Sequence, residues 1–404
     1  MTSSAVPWTR PMEPRDPDEE HRTSTPLELF LDLCFVVAIS ASASVLHHDI
    51  SAGHVAAGFV GFAIAFFAIW WAWVNYSWLA SAYDSQDVRF RLLTFLVMVG
   101  VLVLAAGVPR GQGGHHDFRV MVAGYVIMRL AVVPMWLLAA RDDPPRRSAA
   151  LIYAWGIVIV QVLWVVRTTW IAHGAFGWTM LAVLVVAEFA VPWLAERSAP
   201  GGTPWHRHHA AERYELFTII VLGEVLLATT QAISESLDSR GLTEQVAQLI
   251  VGALLTVFSL WWFYFKSPIV DFLRNETAFV FGYAHYLVFG SIAAIGACLG
   301  AAVDVLGEGH NADRTITMLI AGSIVVFAAA LTLVRWLTEG LQSRRQSLAS
   351  IAALIVVAAI PMPLGTSVLA LGIVLAASAV GYIATHQPDR PSTDPRTVVA
   401  EEDQ

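Results

Sequence analysis

Charge is scarce in this chain of 404 residues: Asp, Glu, Lys and Arg together make up 14%, against about 25% in an ordinary soluble domain. A soluble surface needs charge for solvation, so the deficit argues against a soluble globular protein and against intrinsic disorder. Cysteine is scarcer still. Only Cys34 and Cys298 occur, both inside apolar runs. They allow neither a disulfide framework nor a cysteine-rich metal site, and they read as small apolar filler. The net charge is −8 and no basic stripe is visible, so no nucleic-acid partner is expected. No Walker loop, dinucleotide fingerprint, Gly-x-Ser-x-Gly or His-Glu-x-x-His pattern appears. An ATP-driven pump or a known hydrolase is therefore unsupported, and no cofactor is implied.

Apolar side chains are abundant instead. They form 56% of the chain, with 15 Trp and 20 Phe. About 20 apolar residues cross a bilayer as a helix. Runs near or above that length cover 27–46, 55–79, 90–108, 118–140, 149–170, 176–194, 213–233, 244–266, 278–301, 314–337, 347–362 and 364–385. The expected fold class is all-α: a polytopic helical membrane protein of about twelve transmembrane helices, its main partner the lipid bilayer. The eleventh run is short and ends at Pro361-Met362-Pro363, as a hairpin half or a broken helix would.

Arginine placement gives the orientation. Arg89, Arg91, Arg141, Arg146, Arg147, Arg197, Arg207 and Arg213 all fall on the side of the N-terminus, whereas the opposite side holds few basic residues. Short cytoplasmic loops retain Lys and Arg, so both termini are expected in the cytoplasm. The first 25 residues are polar and acidic and lack the basic start of a signal peptide.

The two halves echo one another. Glu28-Leu29-Phe30 opens the first span and Glu215-Leu216-Phe217 the seventh; Trp70-Trp71 matches Trp261-Trp262; Arg146-Arg147 matches Arg344-Arg345. Six helices return the chain to the same side, so such repeats would be parallel, with a site between them. The expected organisation is a cytoplasmic polar tail (1–25), a first six-helix repeat (26–194), a His-rich cytoplasmic linker (195–211), a second repeat (212–385) and a disordered tail (386–404).

Two segments carry a family resemblance. The first is Arg22-Thr23-Ser24-Thr25-Pro26-Leu27-Glu28-Leu29-Phe30-Leu31-Asp32-Leu33-Cys34-Phe35-Val36. The second is Glu212-Arg213-Tyr214-Glu215-Leu216-Phe217-Thr218-Ile219-Ile220-Val221-Leu222-Gly223-Glu224. Together they resemble the signature segments of the bacterial low temperature requirement A (LtrA) family. Cys34 stands where that family leads one to expect Val, and Val225 where one expects Ser; neither touches the acidic pattern. The resemblance implies a multi-pass protein of the bacterial inner membrane. The family is named for a growth phenotype in the cold, and the resemblance supplies no substrate or catalytic residue.

Function then rests on the few charges inside the helices. Thr25-Pro26-x-Glu28 is helix-start chemistry, with Glu28 able to close a capping box. Asp32 lies one turn deeper on nearly the same face. Glu224 falls about 16 Å into the seventh helix, near the bilayer midplane, with Gly223 beside it to admit a neighbouring backbone. Arg129 lies at comparable depth in the fourth helix, and either Glu224 or Glu188 could pair with it. Arg213 and Glu215 join Glu28 and Asp32 near the inner ends, and His285 in the ninth helix could extend a proton path or simply bond two helices. These eight are the candidate substrate- or ion-binding residues. A fixed ion-pair network would explain them; so would a titratable relay, because intramembrane ionisable groups often mark ion paths. The Trp70–Trp78 and Trp261–Tyr264 clusters read as an aromatic belt, with an aromatic substrate cage as the sharper alternative. His47-His48-Asp49 and His115-His116-Asp117 lack the spacing of a metal site, and none is expected.

The leading expectation is a transporter or permease, proton-coupled or not, for an unknown small solute or ion. Two alternatives stay open. One is an ion channel or a non-transporting membrane stress factor. The other is a membrane-embedded lipid-modifying enzyme using the inner-end cluster of Glu28, Asp32, Glu212, Arg213 and Glu215.

Overall fold

The structure, a computed structural model, describes residues 6–16, 19, 23–112, 117–170, 174–266, 270, 273, 277–306, 310–335 and 341–385. Among these are twelve α-helices: α1 (Pro26–Ser51), α2 (Val55–Ala82), α3 (Val88–Gln112), α4 (Arg119–Asp142), α5 (Arg147–Trp170), α6 (Gly174–Ser198), α7 (Arg207–Arg240), α8 (Glu244–Phe265), α9 (Ala278–Asp304), α10 (His310–Arg335), α11 (Leu341–Ala359) and α12 (Leu364–Thr385). Eleven are long and apolar enough to cross a membrane; the exception is α11, whose apolar part covers only Arg345–Ala359. The fold is thus the expected all-α polytopic bundle. The expected C-terminal tail and His115 and His116 lie outside the described residues.

With lipid as the outer solvent, each helix has two apolar faces. On α1, Leu31, Phe35 and Ile39 are buried while Phe30, Leu33 and Val37 are about half exposed. That is an outward face suited to hydrocarbon, where every backbone polar group must be satisfied within the helix. In α9, 89% of the apolar window is buried, against 22% in α6. So α9 forms the centre, packed by α1, α7 and α10, and α6 lies at the periphery against α5. Small residues permit the closest crossings. A Cβ on Gly100 of α3 would lie 2.7 Å from the Met128 backbone nitrogen of α4, and one on Gly252 of α8 would lie 2.5 Å from the Val368 carbonyl of α12.

The predicted helix-start chemistry is present at α1. Thr25 Oγ1 accepts from the Glu28 backbone N–H (3.3 Å), and Glu28 Oε2 accepts from the Thr25 N–H (2.9 Å). The linker between the halves is shorter than the sequence implies. Helix α6 continues to Ser198 and α7 begins at Arg207, because His206 caps it: its Nδ1 accepts the His209 N–H at 3.1 Å.

The N-terminal segment is a strap rather than a loose tail. Residues 7–15 cross the α2–α3 turn. The Val88 N–H donates to the Pro7 carbonyl, the Arg15 N–H to the Ala82 carbonyl, the Arg10 N–H to Asp87 Oδ2 (2.8 Å) and the Met12 N–H to Asp142 Oδ2 (2.9 Å). Asp87 also caps α3 through the Phe90 N–H (2.8 Å). Burial pushes the Asp87 carboxyl up, but the Phe90 and Arg10 N–H groups and the Arg89 guanidinium outweigh it and hold the group below its ordinary range. A depressed carboxyl stabilises the fold above its unfolded pKa of about 3.9, and that stability is lost as pH falls through the lower folded value. Asp87→Asn should therefore speed protease cleavage within residues 7–15 at neutral pH, and acidification should do the same to wild type. Cleavage indifferent to both would show that Asp87 does not hold the strap.

Candidate functional site

Five of the eight candidate residues, Glu28, Asp32, Arg129, Glu188 and Arg213, gather into two buried clusters. In the first, α1 supplies Glu28 and Asp32 and α7 supplies His209 and Arg213. All four are at most 3% exposed. Asp32 and Glu28 stand one turn apart on α1, so a single guanidinium spans them. Arg213 Nη2 donates to Asp32 Oδ1 (2.5 Å), and Nη1 lies 3.0 Å from Glu28 Oε1. His209, one turn earlier on α7, brings Nε2 to 3.1 Å from the same Glu28 oxygen. Helix α2 closes the cluster: Trp73 Nε1 donates to Asp32 Oδ1 (2.8 Å) and Arg213 Nη2 to Ser77 Oγ (3.3 Å). The Trp73 ring stacks on Phe217 at 4.2 Å and meets Tyr214 edge-on, which fixes the indole. Asp32 Oδ2 is buried with no hydrogen-bond partner among the described residues.

The second cluster surrounds Glu188 of α6. Arg129 of α4 brings Nη2 to 3.0 Å from Oε2, and Trp71 Nε1 donates to the same oxygen at 2.9 Å. Oε1 accepts from the Tyr125 hydroxyl (2.6 Å), Trp164 Nε1 (3.2 Å) and Gln161 Nε2 (3.3 Å). Of the two partners open to Arg129, the structure selects Glu188. Five donors from α2, α4 and α5 thus converge on one peripheral helix and tie it to the bundle.

Glu224 reaches neither cluster. It is half-buried, with no ion-pair or hydrogen-bond partner among the described residues, and a Cβ on Gly223 would meet nothing within 4 Å. The close helix approach expected at that glycine is absent because this side of α7 faces outward. Glu215 is half-buried and near enough to Tyr264 for its charge to act there. His285 sits apart, its Nδ1 2.7 Å from the Phe281 carbonyl and its Nε2 3.1 Å from the Tyr264 hydroxyl. That is the helix-bonding role rather than a link to either cluster. Among the described residues no group of three His, Cys, Asp or Glu could hold a metal; His47 instead meets Asp304 at 2.7 Å.

The belt reading of the α2 tryptophans is overturned. Trp70, Trp71 and Trp73 are at most 1% exposed; Trp71 and Trp73 each donate an indole N–H to a buried carboxylate, a donor carried on an apolar ring, whereas Trp70 packs against Trp71, Tyr283 and Tyr286. Trp261 and Trp262 of α8 are 45% and 39% exposed and keep an outward position.

Beside the second cluster lies a cavity of about 890 Å³ bounded by α2, α4, α5, α6 and α9. Its wall includes Phe67, Trp70, Phe189 and Tyr283. Tyr125 and Trp164 also line it, and both donate to Glu188 behind them. Polar atoms are few, and among the described residues the one charged lining side chain is Arg167.

The family model for bacterial low temperature requirement A protein matches residues 23–384. The chain belongs to the LtrA family. Every residue of the two clusters of this LtrA chain lies inside the matched region. A relative from Rhizobium meliloti (strain 1021), uncharacterized protein RA0937, is 27% identical over 312 residues, 72% of this chain and 71% of its own length. No solved structure matches.

Sequence reasoning missed His209, Trp71, Trp73, Tyr125, Trp164 and Arg167. One signal was available: Trp71 lies eleven residues before the end of α2, about 16 Å at 1.5 Å per residue. That is too deep for an interfacial belt.

Removing one partner of a buried pair leaves an unanswered charge, which costs about 3–5 kcal/mol, whereas replacing both by apolar residues is often neutral. Arg129→Met and Glu188→Met should each lower the melting temperature sharply in detergent, and the double variant should lose less than the sum of the two while staying below wild type, because the Trp71, Tyr125, Gln161 and Trp164 donors lose their acceptor. Fully additive losses would mean that Arg129 and Glu188 are not energetically coupled.

Proposed function

We propose that this LtrA protein is a secondary transporter or permease of the bacterial inner membrane. The cavity is its solute site, and the Glu28–Asp32–Arg213–His209 cluster carries an exchangeable proton. The cavity is the observation that carries the reading. Its volume falls within the roughly 300–1,000 Å³ of small-molecule sites, and such sites combine apolar walls with a few placed polar groups.

The charge balance of the first cluster supports proton coupling. Two carboxylates face one guanidinium, so with neutral His209 the group carries one net negative charge. One added proton, on a carboxyl or on His209, makes it neutral. Asp32 Oδ2 has no hydrogen-bond partner among the described residues, and charge buried between helices is where ion paths tend to run.

Coupling would pass through α2. Trp71 and Trp73 stand two residues apart on it and hold Glu188 and Asp32 respectively. A change in the charge of the first cluster therefore alters what one side of α2 holds, while the other side frames the cavity.

A parallel six-helix repeat is supported by recurring neighbours. The pairs α1–α3, α3–α4, α4–α5 and α5–α6 are matched by α7–α9, α9–α10, α10–α11 and α11–α12. With the termini cytoplasmic, as the arginine distribution favours, the cavity end at α5–α6 lies toward the outer leaflet.

The test uses proteoliposomes with a trapped pH-sensitive dye, challenged with small aromatic and aliphatic acids and their neutral analogues. Wild type should move protons with at least one solute. Asp32→Asn should abolish that flux while still folding and inserting, and Glu224→Gln should leave it near wild type. Equal flux from Asp32→Asn would remove the cluster from coupling, and a steady current in planar bilayers without solute would favour a channel.

A further inference from the structure

Arg167 is a buried charge that belongs to neither cluster. It lies three residues before the end of α5 and is 8% exposed. Its Nε donates to the Gly177 carbonyl at 3.2 Å, and its guanidinium sits 6.0 Å from the Trp164 ring centre. Arg129 and Arg213 each answer a carboxylate; Arg167 has none among the described residues, and neither Nη group has a described hydrogen-bond partner. It lines the large cavity. A nearly buried guanidinium with open donors calls for an anion, and its planar fork fits carboxylate or phosphate.

The rest of the cavity specifies what that anion is attached to. From Ala56 to Trp70 the cavity follows α2 over fifteen residues, about 21 Å at 1.5 Å per step. A hydrocarbon core of about 30 Å allots roughly 15 Å to one leaflet's tails, so the trough is long enough for a whole tail. Along it Ala57, Val60 and Ala63 are exposed on α2, and the lining from other helices includes the aromatic side chains of Phe189 on α6 and Tyr286 on α9. Small residues facing aromatic ones leave a slot, and a polar solute would find almost nothing there to bond.

We infer that the cavity binds an amphipathic anion, its headgroup paired with Arg167 at the α5–α6 end and its apolar tail laid along α2 toward Trp70. Two sources share this chemistry: a free acyl carboxylate and an anionic phospholipid. The inference rests on reading the cavity as a solute site, but it concerns binding alone.

The experiment is native mass spectrometry of the purified full-length protein after delipidation. Oleate is compared with oleyl alcohol, and phosphatidylglycerol with phosphatidylcholine of the same chains. Wild type should retain at least one anionic member at least about tenfold more strongly than its uncharged or zwitterionic counterpart. Preference for oleate would identify the carboxylate source, and preference for phosphatidylglycerol the lipid. Arg167→Gln should erase the preference while keeping weak, charge-blind retention. Val60→Trp, which fills the slot without touching the charge, should lower retention of every probe. Equal retention of charged and uncharged partners by wild type, or a preference that survives Arg167→Gln, would overturn the inference. Charge-selective retention by a protein that moves no protons would keep it and remove the transport reading.

Discussion

Taking an ionised side chain out of water costs several kcal/mol even after relaxation, and hydrocarbon offers nothing in return. A charge that this chain carries between its helices must therefore be answered by another helix or by a bound ion. Asp32 and Glu28 on α1 are answered by Arg213 on α7, and Glu188 on α6 by Arg129 on α4. These pairs do more than tolerate charge. They fix which helices meet, because a slipped register would leave a carboxylate among tails. The first joins the start of one half to the start of the other, and the second fastens a helix that otherwise packs mainly on α5.

The two pairs differ in what surrounds them. Glu188 receives hydrogen bonds on both oxygens from four side chains besides Arg129, the arrangement of an anchor. Asp32 uses one oxygen for Trp73 and Arg213 and keeps the other without a hydrogen bond among the described residues. A buried acceptor in that state is costly in a static structure. It is understandable where a proton comes and goes. Helix α2 stands between the two clusters, with Trp71 bonded to one and Trp73 to the other, so a single helix joins the cluster proposed to exchange a proton to the wall of the cavity.

The spans were legible in the sequence because hydrocarbon imposes one length and one composition on every helix. Glu28, Asp32 and Arg213 were legible as candidates because charge inside an apolar run stands out. Their partners were harder. Trp71 and Trp73 look like any membrane tryptophan until burial shows that each indole serves a carboxylate. His209 was assigned to a loop because nothing local announces that His206 starts the helix before it. Glu224 meets neither cluster, because depth in a span says nothing about which way a side chain points; it is half-buried beside an exposed Gly223. The cavity was invisible, since its walls come from five helices whose packing no single-chain periodicity encodes.

The reading turns on one proton shared by Glu28, Asp32, His209 and Arg213, and proton uptake by the purified protein measures it most directly. Acidifying the protein in nanodiscs while recording carboxyl and imidazole bands by difference infrared spectroscopy should show one proton entering this group in wild type. Asp32→Asn leaves one carboxylate facing one guanidinium and should take up none over the same pH range. Identical uptake by the two proteins would contradict a proton held at this cluster.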